Sequence, residues 1–191
     1  MESGFKEFFK AFTQLKLSDL LLIYKISQIK SYKAGELLIK EGEYTDYAYG
    51  IVKGIIRTYV LKTDGEERTV RIAVEKDFAG SANCLFTDQP SFEYIEVVED
   101  CIVIRVNTTK LKDMAKDNIR LLSFWNNAVR DALVDAVHRI MFFVALTPEE
   151  RYRNLLEEAP HLILRVPQKH LASYIGITTV SLSRIKHRLT K

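Results

Sequence analysis

The stretch Gln168-Lys169-His170-Leu171-Ala172-Ser173-Tyr174-Ile175-Gly176-Ile177-Thr178-Thr179-Val180-Ser181-Leu182-Ser183-Arg184-Ile185-Lys186-His187 decides how this 191-residue chain is read. Counted from Gln168, a small residue, Ala172, stands fifth, Gly176 ninth and Leu182 fifteenth. This spacing predicts two short helices crossing at a tight turn. Ala172 falls where the helices come nearest, and Gly176 supplies the left-handed backbone of the turn. Leu171, Ile175, Ile177, Leu182 and Ile185 are expected to form the shared core, with Thr178 or Thr179 capping the second helix. With Leu182, Ile185 and Leu189 turned inward, Val180, Ser183, Arg184 and His187 point outward, flanked by Thr179, Ser181 and Arg188.

An outward face of that kind suits a DNA groove. Arg184 has the fork that pairs with a guanine edge, and Val180 can meet a thymine methyl. Lys169, Thr178, Ser181 and Lys186 suit phosphate oxygens, which position a helix without reading sequence. The charge distribution agrees. Residues 161–191 hold six Lys/Arg and no Asp/Glu, whereas the remaining 160 residues hold 22 basic and 25 acidic groups, within an overall charge of +3. Charge alone fits a solvated basic face equally well. The alternative to DNA binding is a ligand-binding or protein-interaction barrel whose C-terminal helices form a bare αα-hairpin.

Upstream, Thr147-Pro148-Glu149-Glu150 marks a helix start, with Thr147 as N-cap, Pro148 at the first helical position and Glu150 closing a capping box. That helix should stop before Pro160, which makes 145–148 a hinge. From Asn118 to about Val144 there is no Gly or Pro, and a long helix is expected. Its apolar set is broad enough to serve two neighbours. Leu122, Trp125, Val129, Ala132, Ala136, Ile140 and Phe143 are the expected dimer face, and Ala128, Ala132 and Ala136 allow close approach. A single-chain core helix is the other reading, but ~27 residues span ~40 Å, more than a small barrel needs.

Between Lys33 and Asn107 the pattern is short β-rich runs and turns. Strands are expected at Leu37–Ile39, Tyr47–Val52, Ile55–Leu61, Thr69–Val74, Tyr94–Val98 and Cys101–Val106. Lys53-Gly54 and Thr63-Asp64-Gly65-Glu66 read as turns, the latter on the positive φ angles of Asp-Gly. At the start, Phe5, Phe8, Phe9, Phe12 and Leu15 fall at helical spacing and predict an amphipathic helix packed on the next domain. The fold class expected is α+β: a β-barrel sensor domain over 1–116, a dimerisation helix and hinge over 117–146, and a helix-turn-helix domain over 147–191.

Several functions are disfavoured by composition. No apolar run reaches the ~20 residues of a membrane span, and the N-terminus does not read as a signal peptide. Residues 33–107 contain no histidine, so no two-histidine metal site and no cupin-type enzyme is expected there. Cys84 and Cys101 make no metal spacing or disulfide framework and are expected buried and structural. No cofactor is expected, and a cytoplasmic location fits.

Together these pieces resemble the Crp/Fnr superfamily over nearly the whole chain, carried by Gly35-Glu36, Lys53-Gly54-Ile55, Asp77-Phe78-Ala79-Gly80 and Leu171-Ala172 through Arg184-Ile185. The resemblance implies a double-stranded β-helix, cupin-like barrel in the N-terminal part. It also implies a homodimer, a two-fold DNA site and contact with RNA polymerase. Family members that bind cyclic nucleotides carry Gly-Glu followed, further on, by an arginine for the cyclic phosphate. Here Gly80 is followed by Ser81, and Asp88-Gln89-Pro90-Ser91-Phe92-Glu93 contains no arginine. Arg57, Arg68 and Arg71 lie on other strands. A cyclic nucleotide is therefore not the expected effector. Thr179-Val180 also stand where relatives carry a charged pair, and the chain stops at Lys191, directly after the second helix. A different operator and a weaker DNA grip are expected.

Overall fold

The computed structural model describes residues 15–189. Helix α1 (Leu17–Lys25) leads into six strands: β1 (Ser27–Tyr32), β2 (Leu37–Ile39), β3 (Tyr47–Leu61), β4 (Glu67–Ala73), β5 (Phe78–Ala79) and β6 (Tyr94–Asn107). A single π-helical turn at Asn83–Thr87 precedes β6. Six helices follow: α2 (Thr108–Lys116), α3 (Ile119–Ala145), α4 (Pro148–Glu158), α5 (Pro160–Arg165), α6 (Gln168–Ile175) and α7 (Thr179–Leu189). Phe5, Phe8, Phe9, Phe12 and Lys191 lie outside the described residues. Leu15 packs beside α1, α2 and the start of α3.

The strands form one antiparallel sheet in the order β1-β6-β3-β4, with β2 on β6 and β5 on β3. Sequence punctuation overstated the breaks within it. The runs on either side of Lys53-Gly54 are one strand, β3, and those on either side of Glu99-Asp100 are one strand, β6. The two pair from Tyr47 opposite Asn107 to Tyr59 opposite Tyr94, with bulges between Ile51 and Ile56. Gly54 makes this possible. It sits at φ +100°, and a Cβ there would meet the Asp100 carbonyl and Cys101 Sγ at 2.5 Å. The 62–66 turn also differs from expectation, because only Gly65 takes positive φ while Asp64 does not. Strands β1 and β5 carried too little apolar alternation to be read.

The bulge changes which residues of β3 face the barrel core. Before it, Tyr49 and Ile51 point inward; after it, Ile56 does, joining Ile39, Ala73, Ala79, Ile95, Val97, Cys101 and Val103. Ile55, Arg57 and Tyr59 are thereby turned to the outer face, and all three are buried there. The cover is the C-terminal unit, whose core of Tyr152, Leu155, Leu162, Leu171, Ala172, Ile175, Leu182 and Ile185 is continuous with Ile55 and Ile72 of the barrel. Cys84 and Cys101 are buried free thiols, and burial pushes the Cys101 thiol up to about 11.

Helix α3 is packed unevenly. Asn118 caps it, accepting from the Arg120 and Leu121 amides. Leu121 and Phe124 are buried, and Trp125 packs against Phe86 at 5.8 Å between centroids. Farther along, Leu133, Val137, Ile140 and Val144 are all exposed. No described helix is long and apolar enough to cross a membrane.

Candidate nucleic-acid interface

Helices α6 and α7 are built from the positions that the spacing singled out. Leu171, Ile175 and Leu182 are fully buried, with Ala172 and Ile185 nearly so, while Ile177 packs against the same core from its edge. Gly176 takes φ +77°, and its Cα lies against the Phe143 ring, where a Cβ would approach to 2.7 Å. Of the two threonines, Thr178 is the cap, its Oγ1 accepting from the Ser181 amide at 3.2 Å. The preceding capping box is also formed: the Thr147 hydroxyl accepts from the Glu150 amide, and Glu150 accepts from the Thr147 amide at 2.8 Å.

On the outer side of this pair, Lys169, Thr178, Thr179, Val180, Ser183, Arg184, His187 and Arg188 are exposed, with Ser181 and Lys186 half-buried. Val180, Ser183, Arg184 and His187 share a side because they stand three and four residues apart on α7. Arg188 also reaches Glu149 at 2.9 Å. Arg165, counted with the basic segment from sequence, is not on this face. It lies between Glu75 and Glu99 of the barrel, at 2.6 Å and 2.9 Å, and holds the Glu75 carboxyl down to about 2. His170 is likewise turned inward. Burial, with the nearby Arg57 and Lys169 charges, pushes its pKa down to about 4. A count of charges could not show that Arg165 is turned away, since its partners lie on distant strands.

The expected dimer residues fall in two groups. Ala132, Ala136 and Ile140 line the open side of α3, Val129 is half-buried, and Leu122 is exposed near the helix start. Trp125 is instead engaged with Phe86, and Phe143 with Gly176. Phe124 and Phe142, which sequence reasoning left out, face the α1–α2 side and the C-terminal core respectively.

Around Gly80 the barrel holds a buried carboxylate. Ser81 and Glu93 are both buried, and Glu93 Oε1 accepts from the Ala82 amide at 3.2 Å. Burial pushes the Glu93 pKa up, against the amide, the adjacent Ser81 hydroxyl and the Arg71 charge. The three arginines on other strands have separate fates. Arg57 is held under the C-terminal unit by Glu96 and Glu67, at 2.7 Å and 2.6 Å. Arg68 pairs with Glu66 at the surface. Arg71 donates to the Phe78 carbonyl and lies 3.7 Å from Asp135 of α3. Among the described residues, no group of His, Cys, Asp and Glu is placed to hold a metal ion.

Residues 29–118 match the cyclic nucleotide-binding domain family. The FixK2 structure from Bradyrhizobium japonicum superposes with a TM-score of 0.75 at 21% identity, covering 86% of this chain and 85% of that one. A Crp/Fnr-family protein from Eubacterium rectale superposes with a TM-score of 0.74 at 19% identity, covering 96% and 87%. This chain has the Crp/Fnr-type fold. The anaerobic regulatory protein of Pasteurella multocida (strain Pm70) is 23% identical over 178 residues, which span 87% of this chain and 64% of that protein. The chain thus spans just under two thirds of that relative's length. Its barrel lies in the matched family segment, and its α6–α7 pair in the part that only the whole-chain similarities reach.

Proposed function

We propose that this chain is a DNA-binding transcription regulator and not an enzyme. In this reading it acts in the cytoplasm as a homodimer on a two-fold operator. The observation that carries the reading is the α6–α7 pair: a turn built on Gly176, a closed apolar core, and an exposed polar and basic face on α7. On that face Arg184 and Val180 read base edges. Ser183, Thr179 and His187 lie beside them, and Lys169, Thr178, Ser181, Lys186 and Arg188 meet the backbone. The dimer forms along the open side of α3, where Leu133, Val137, Ile140 and Val144 recur at alternating four- and three-residue spacing and would otherwise stay in water. Contact with RNA polymerase is implied by the Crp/Fnr resemblance alone. Selection of bound duplexes from random DNA, followed by titration of the winner, tests the reading; failure to enrich any two-fold sequence removes it.

Cyclic nucleotides are not the effector in this proposal. The segment between Gly80 and β6 offers a buried carboxylate, Glu93, and its nearest arginine, Arg71, is committed to the Phe78 carbonyl and Asp135. A phosphate placed beside an uncompensated buried carboxylate is strongly penalised. Calorimetric titration with cyclic AMP should show no binding at millimolar ligand; micromolar binding that alters DNA affinity would overturn this.

A further inference from the structure

Three elements meet beside the helix-turn-helix, and one side chain touches all of them. Arg139 of α3 donates through Nη2 to the Tyr174 carbonyl of α6 and, at 3.4 Å, to the Thr69 carbonyl of β4. Its guanidinium lies 3.8 Å from the centroid of the Tyr174 ring and 4.4 Å from that of Phe143. Nε and Nη1 are buried without hydrogen-bond partners, so ring faces rather than water hold the charge. Close by, Ser173 Oγ accepts the Thr69 amide at 2.8 Å and donates to the Glu67 carbonyl at 2.9 Å, so α6 completes the edge of the sheet at β4. Arg165 closes the other side with four hydrogen bonds to Glu75 and Glu99.

The covalent link between α3 and the C-terminal unit cannot supply this rigidity. Only Leu146 and Thr147 separate α3 from α4, and both have extended backbone angles. Rotation at two such residues swings everything after them. The docking also leaves the face of α7 that carries Arg184 open to solvent, so it fixes the pose of the reading helix without hiding it.

We propose that Arg139 and Arg165 are spacing-determining residues: they lock each helix-turn-helix to the long helix and barrel of its own chain and so set the separation of the two DNA half-sites. The proposal rests on the dimeric DNA-binding reading above. The lengthening or shortening of an operator by one base pair moves one half-site by ~3.4 Å and rotates it by ~35°. A locked head cannot follow that change, whereas a head held only by Leu146-Thr147 can.

The test uses the full chain with Arg139→Ala and Arg165→Ala combined, the selected operator, and versions with one central base pair added or removed. Fluorescence anisotropy should show the parent discriminating against altered spacing by about tenfold or more, and the variant by less than about threefold. Affinity for an isolated half-site should stay within about twofold, because no DNA-facing residue has changed. Hydrogen exchange reads the lock without DNA: amides from Leu171 to Ile177 and that of Thr69 should exchange faster in the variant, with Val97 to Val103 unchanged. Where that variant fails to fold, Glu75→Gln with Glu99→Gln opens the same clamp from the barrel side and should relax spacing in the same direction. Unchanged spacing discrimination in a variant whose exchange shows release would overturn the spacing role alone. Unchanged exchange overturns the lock. A parent protein that selects no two-fold duplex removes the regulator reading and the spacing role together.

Discussion

Helices α6 and α7 share one apolar core and meet opposite surroundings. Past the exposed Gln168 and Lys169 at its start, α6 gives its polar residues to the fold: His170 is buried, and Ser173 is bonded to two backbone groups of β4. On α7, Ser183 and Arg184 face water, and Arg184 has no ion-pair partner among the described residues. A polar side chain becomes structural or functional according to which way its helix face is turned. The turn at Gly176 assigns those directions.

The largest effect should come from breaking what the two helices share. Leu182 is fully buried between them, and Leu182→Ala should cost about 2–5 kcal/mol through lost burial and a residual cavity. Chemical denaturation of variant and parent would measure it, and a loss under about 1 kcal/mol would show that the pair does not depend on a common core.

On the α6 side, the next effect depends on pH. His170 is neutral and buried beside Arg57, Glu67 and Lys169, with its pKa pushed down to about 4 from an ordinary 6.5. The unfolded chain therefore takes up this proton first. Its contribution is fully present above pH 6.5, declines as pH falls toward 4, and levels off below that, for up to about 3 kcal/mol. His170→Gln should flatten that part of the stability–pH curve relative to the parent. Parallel curves for the two proteins between pH 7 and 4 would place His170 in water rather than under the helix.

On the α7 side, stability should hardly move while binding does. Arg184→Ala should weaken the selected operator by about 1–3 kcal/mol and relax preference at one base pair. The smallest change is expected from Lys169→Ala at the exposed start of α6, which should weaken all sequences alike and lower the salt slope by about one. Equal loss of base preference from both substitutions would erase the distinction drawn between them.

Much of this arrangement was legible because it is local. A turn that needs positive φ calls for Gly176, a helix start calls for Thr147 and Glu150, and amphipathic spacing within eleven residues marks Leu182 and Ile185 as inward. The barrel was legible in outline and wrong in its joints. Gly54 reads as a turn, yet it is the bulge that lets β3 continue and turns Ile55, Arg57 and Tyr59 to the outer face. Whether a glycine ends a strand or bends it depends on what lies opposite, here Asp100 and Cys101, forty-odd residues away along the chain.

Local order was therefore determined by the sequence itself: two helices around Gly176, a long helix without breakers, a β-rich half without histidine, and a basic segment at the end. Only the tertiary structure decided what the charges are for. Arg165 and Arg184 belong to the same basic segment and have the same side chain. Arg165 reaches Glu75 and Glu99 and closes a clamp, whereas Arg184 reaches solvent. The physical reason is range. Backbone conformation and helical periodicity act over a few residues, so they can be read along the chain. Burial and ion pairing act between groups brought together by folding, and their partners have no fixed spacing in sequence.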